Sequence, residues 1–110
     1  MPIKSTKEDS YTVVTVNLEK LDSIIAPDLK TEFVLLEKSG VNNIIVDLSE
    51  AKYCDSSGLS ALLVGNRLLK TKGKFVICGL QPNVKKLIEI SQLHTVLNIC
   101  DDLVAAKELF

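Results

Sequence analysis

Ile44-Ile45-Val46-Asp47-Leu48, then a short polar link, then Asp55-Ser56-Ser57-Gly58-Leu59, form the segment around which the chain is organised. An apolar run rich in β-branched residues suits a strand covered on both faces, the arrangement of α/β proteins. From Leu59 the spacing changes. Leu59, Leu62, Leu63 and Leu69, with Ala61, Val64 and Leu68 broadening the stripe, follow a helical period. Gly73 closes the segment as a suitable C′ residue after Lys70 and Lys72. The stretch therefore reads as buried strand, loop and helix. Ser56 and Ser57 stand where a helix presents unpaired N–H groups and the positive end of its dipole, a place where a serine can carry a phosphate at low cost.

Working outward, the pattern alternates. Tyr11 to Leu18 is dense in β-branched and aromatic side chains and reads as a strand, with Ile3 to Lys7 as an edge strand beside it and Glu8-Asp9-Ser10 as the turn. Glu19 to Ala26 is a loop. Pro27 takes the first helical position, Asp28 and Glu32 face the positive dipole end, and the helix runs through Leu29, Phe33 and Leu36 to a stop at Gly40. Val41 to Leu48 is the central strand and Lys74 to Gly79 another. Gln81-Pro82 begins a further helix, since proline is tolerated in the first turn, and its inward face is Val84, Leu87, Ile88 and Ser91. Val96 to Cys100 is the last strand, and Asp101-Asp102 cap a closing helix with Leu103, Val104, Ala106, Leu109 and Phe110 as its apolar members. Strands alternating with helices argue an α/β sheet with right-handed parallel crossovers and one antiparallel edge.

The 110 residues make one domain, residues 1–110, long enough to bury roughly two thirds of the surface of the unfolded chain. A formal net charge of −1 gives nothing that would recruit nucleic acid or an anionic membrane in bulk. The amino terminus lacks the apolar core of a signal peptide, and no run approaches the ~20 apolar residues of a spanning helix. The expected setting is cytoplasmic, with no direct membrane insertion. Cys54, Cys78 and Cys100 show no Cys-x-x-Cys spacing and read as reduced thiols, the last two as small buried hydrophobes. One histidine and scattered cysteines do not make a metal ligand set, and no Gly-x-Gly-x-x-Gly run is present, so no metal or cofactor is expected.

Taken alone, Asp55-Ser56-Ser57-Gly58 is a helix start, because Asp and Ser are favoured caps. The functional reading is that one hydroxyl accepts a phosphoryl group, adding about −1.5 to −2 charges. Helix N–H groups would stabilise that phosphate and Asp55 would repel it. A serine hydrolase would need a base near the nucleophile, yet His94 lies far away in sequence and there is no Gly-x-Ser-x-Gly elbow. Cys54 would be reactive only if the helix terminus lowered its pKa; the simpler reading packs it under the loop. Asp22, by default, forms an Asx turn. Sites in such sheets form at the carboxyl ends of strands, and if the strands are parallel neighbours Asp22 and Asp55-Ser56-Ser57 share one edge.

Leu21-Asp22 with Ala26-Pro27-Asp28-Leu29, Ile45-Val46-Asp47-Leu48-Ser49, Tyr53-Cys54-Asp55-Ser56-Ser57-Gly58-Leu59, Gly79 and Leu87-Ile88-Glu89-Ile90 together resemble the STAS domain of anti-sigma factor antagonists. The likeness runs from Tyr11 to Phe110. It implies a mixed central sheet of four to five strands flanked by about four helices, acting as a protein-binding switch and not as an enzyme. The resemblance further implies that the unphosphorylated protein binds an anti-sigma factor serine kinase and frees the sigma factor, that phosphorylation on Ser56 blocks binding, and that a PP2C-type phosphatase reverses it. Asp22, Asp55, Ser57 and Gly58 would shape the partner-binding surface. Two departures stand out: Glu19-Lys20 replaces the glycine that often precedes the Leu-Asp pair, and Cys54 replaces a larger aliphatic residue. The alternative is a constitutive STAS adaptor in another complex, a lipid-transport ATPase or a stress-signalling scaffold, in which Ser56 only caps the helix.

Overall fold

The computed structural model describes residues 2–110. Its strands are β1 (Ile3–Lys7), β2 (Thr12–Val16), β3 (Lys20–Leu21), β4 (Ile44–Asp47), β5 (Tyr53–Cys54), β6 (Phe75–Cys78) and β7 (Asn98–Cys100). The helices are α1 (Ala26–Lys38), α2 (Ser56–Leu69), α3 (Pro82–Ile90) and α4 (Leu103–Lys107), with a 3-10 turn at Leu93–Thr95. Five strands form the main sheet in the order β1-β2-β4-β6-β7; β1 runs antiparallel to β2 and every other pair is parallel. The sheet is mixed, as the alternation of apolar runs implies, with its antiparallel edge at β1.

Both faces of β4 and β6 are covered, which is why their sequences are unbroken apolar runs. Ile44, Val46, Phe75 and Ile77 point to one face and pack with Leu29, Phe33, Leu62 and Leu69 of α1 and α2. Ile45, Val76 and Cys78 point to the other, where α4 contributes Ala106. The Phe33 and Phe75 rings meet edge to face, 5.3 Å between centroids, at the centre of the larger layer. Leu59, Val84 and Ile88 join α2 to α3 beside it. Among the described residues no helix is long and apolar enough to cross a membrane.

Several local expectations change. The segment 19–26 contains β3, and the polar link before α2 contains β5; the two pair in parallel as a separate small sheet, Lys20 opposite Tyr53 and Leu21 opposite Cys54. Helix α2 ends at Leu69, and Gly73 does not take the left-handed conformation of a C′ residue. Gly73 is instead a close-packing position, since a Cβ there would collide with the Asn42 carbonyl and the Asn43 side chain. Gly40, by contrast, has φ +93° and ends α1 as its sequence position implies. Glu32 lies beyond the first turn of α1 and accepts a hydrogen bond from Ser5 Oγ, tying the edge strand to the helix. Ser91 is exposed and donates to Leu87 O, so it is no part of the inward face of α3. Cys100 is half-buried, at the open edge strand β7 rather than inside the sheet.

Candidate functional site

Because β2, β4 and β6 are parallel, the loops that leave their carboxyl ends emerge on one rim. The small sheet then fixes two of these loops to each other. Beyond the β3–β5 pairing, the Asp55 amide donates to Leu21 O at 3.3 Å. Asp22 follows Leu21 directly, and Ser56 follows Asp55, so the two loops form one surface.

Asp55 is the N-cap of α2. Its backbone is extended, and Oδ1 accepts from the amides of Ser57 at 2.9 Å and Gly58 at 3.1 Å. Ser56, the first helical residue, is exposed. Ser57 is half-buried. Gly58 is fully buried, and a Cβ there would strike Leu21 O and Cys54 Sγ, so this residue lets the small sheet seat directly beneath α2. It shapes the rim from below. Asp22 is half-buried and its Oδ1 accepts from the Ile24 amide at 3.0 Å, while its carbonyl accepts from the Ala26 amide at 2.8 Å. The residue therefore makes the Asx turn expected of it by default, and its carbonyl holds the Ala26 amide in the turn that leads into α1.

The start of α2 is more occupied than its sequence suggests. The Ser57 and Gly58 amides, two of those expected to stabilise a phosphate, are engaged by the Asp55 carboxylate, and the Leu59 amide by the Asp55 carbonyl. What faces Ser56 is a shallow depression of about 280 Å³ between the first turns of α1 and α2, lined by Ser23, Ala26, Pro27, Lys30, Ser56, Ser57 and Ser60. Ser60 sits one helical turn after Ser56, a spacing visible in the sequence. Ser23 and Lys30 enter only through the packing of α1 on α2. The rim also carries exposed apolar side chains, Ile24 at 84% and Tyr53 at 50% exposure.

Neither nucleophilic reading gains a partner. His94 is exposed in the 3-10 turn and lines a different depression, with Leu80, Lys85, Ile88 and Glu89. Burial, and then the Asp55 charge, push the Cys54 thiol up to about 12, outweighing a backbone hydrogen bond at Leu59 that favours the thiolate. A thiol so raised is the opposite of an activated one. Burial likewise lifts Cys78 to about 12, with Asp47, Cys100 and Asp102 adding to it.

These raised thiols set a pH dependence. The unfolded chain loses its thiol protons near the ordinary value of 9.0 while folded Cys54 and Cys78 hold theirs to about 12. Their contribution to stability is thus complete below about pH 9 and is lost as pH rises from there through about 12. Urea midpoints measured between pH 8 and about pH 10.5 should fall less steeply for a Cys54→Ala, Cys78→Ala double variant than for the unaltered chain. Equal slopes would show that the thiols are not held protonated by the fold.

With this geometry in view, the comparisons with known proteins converge. The STAS domain profile matches residues 3–106. A putative anti-sigma factor antagonist of Bordetella bronchiseptica, BtrV, is 30% identical over 91 residues, covering 82% of this chain and 78% of that protein. The crystal structure of an anti-sigma factor antagonist from Mycobacterium paratuberculosis superposes with a TM-score of 0.88 at 20% identity, over 97% of this chain and 91% of that one. The Bacillus cell fate determinant SpoIIAA in its phosphorylated form superposes with a TM-score of 0.74 at 18% identity, over 98% and 99% of the two chains. The chain accordingly belongs to the STAS domain family of anti-sigma factor antagonists.

Proposed function

We propose that this chain is a cytoplasmic, phosphorylation-controlled antagonist that binds an anti-sigma factor through the rim carrying Asp22, Asp55, Ser56 and Ser57, with Gly58 supporting that rim from beneath. In this reading the partner is also a serine kinase. The unphosphorylated form occupies it and releases the sigma factor. Transfer of the γ-phosphoryl group of ATP to Ser56 Oγ ends the complex, and a PP2C-type phosphatase restores the hydroxyl. The chain is then a regulator and performs no catalysis of its own.

The observation that supports this reading is the division of labour between Asp55 and Ser56. In the adaptor alternative Ser56 serves as a helix cap. That duty is carried by the Asp55 carboxylate, so capping does not account for a hydroxyl at Ser56, which is exposed beside the Asp22 loop. A phosphate there would put about two negative charges into a protein contact without disturbing the core beneath. SpoIIAA, which shares the fold, occurs in a phosphorylated form.

The test is direct. Incubated with its cognate anti-sigma factor kinase and ATP, the purified chain should gain a single phosphate by intact-mass spectrometry, mapped to Ser56 and absent from Ser56→Ala. No modification, or modification confined to Ser57 or Ser60, would overturn the assignment.

A further inference from the structure

Among the described residues, the depression beside Ser56 is lined by one charged side chain, Lys30, and four serines. Lys30 lies on α1, is half-buried, and makes no ion pair among the described residues, whose salt bridges are Lys52 with Glu19 and Lys72 with Glu37. A cation held part-way out of water without a carboxylate partner is poised to gain from an anion delivered to it. The start of α2 has little of that stabilisation left to give, because Asp55 already takes the Ser57, Gly58 and Leu59 amides, and the first turn of α1 includes Pro27, which has no N–H.

We propose that Lys30 is the counter-cation of the phosphate on Ser56: the phosphoryl group is held in the depression between α1 and α2, against Lys30 and the hydroxyls of Ser23, Ser57 and Ser60. This rests on the reading of Ser56 as the phosphate acceptor and adds to it the residue that governs where the phosphate lies. Two consequences follow for the switch. The dianion is drawn toward Lys30 and away from the Asp55 carboxylate. The modified serine also consumes the Lys30 charge, which has no ion-pair partner among the described residues, so that this cation is no longer open to a group outside the chain.

The experiment installs phosphoserine at position 56 during translation, so that its outcome is independent of any kinase; failure of the phosphorylation reading itself would appear only in the kinase assay above. In a phosphorus-31 NMR titration, Lys30→Met should raise the second pKa of the phosphoserine by about half a unit or more relative to the unaltered Lys30 protein, whereas Lys30→Arg should keep it low. That difference should shrink as salt is raised toward about 1 M, where screening acts within about 3 Å. A reciprocal measurement needs no substitution at Lys30: the Nζ resonance of Lys30 should titrate at higher pH in the phosphoserine protein than in the unmodified one. Equal phosphate pKa values for the unaltered Lys30 protein and the Lys30→Met variant, or a Lys30 titration unmoved by the phosphate, would overturn the proposal.

Discussion

Ser56→Glu should abolish association with the anti-sigma factor kinase, weakening affinity by roughly a hundredfold or more, while Ser56→Ala should bind within about threefold of the unaltered chain. The reason is desolvation. Ser56 is exposed on a rim whose other members include the Asp22 and Asp55 carboxylates and the apolar side chains of Ile24 and Tyr53. A docked partner strips water from that rim, and a fixed anion at Ser56 must then be desolvated beside the Asp55 carboxylate with only the half-buried Lys30 to offset it, which costs on the order of 3 kcal/mol. A hydroxyl or a methyl group carries no such penalty. Isothermal titration calorimetry with the purified kinase reads the difference. Ser56→Glu binding at full strength would favour the constitutive adaptor, whose docking ignores charge at this position.

The second large effect concerns Gly58→Val, which should lose about 2 to 4 kcal/mol of stability and lower the melting temperature by about 10 °C or more. Helix propensity alone would make replacement of a glycine in α2 favourable, because glycine is the costlier residue in a helix interior. Packing overrides it. A side chain at residue 58 would meet the Leu21 carbonyl, which cannot retreat because it accepts the Asp55 amide, and would press on Cys54 Sγ. The β3–β5 pair would be driven from beneath α2, and with it the alignment of the Asp22 loop against Ser56. Calorimetric melting and partner binding should therefore fall together, although residue 58 itself is buried. A melting temperature within about 2 °C of the unaltered protein would show that the small sheet does not need this close approach.

Much of the architecture is legible in the sequence because the physics that makes it acts along the chain. β4 and β6 are covered on both faces, and that requirement writes itself as consecutive apolar residues; α2 is covered on one side, and that writes itself as a period of 3.6. Asp55 as a cap is equally visible, since capping is a local exchange between a carboxylate and amides two and three residues on. The small sheet is not. Two residues, Lys20-Leu21 or Tyr53-Cys54, are too few to show a period, and their pairing is supplied by a partner more than thirty residues away. Gly73, Glu32, Ser91 and Cys100 depart from their local readings for related reasons: each has a plausible local role, and each is governed instead by what lies against it or by being left in solvent.

The order of the four helices and of the five strands of the main sheet, the mixed α/β class and the position of Ser56 at a helix start are written in the chain, because backbone propensity, apolar periodicity and capping are short-range properties. Which groups surround that serine is set by long-range packing. The pairing of β3 with β5 brought the Asp22 loop to its side, and the packing of α1 on α2 brought Lys30 to the same depression. Such neighbours come from distant segments meeting across a shared core, and no local pattern in either segment encodes the meeting.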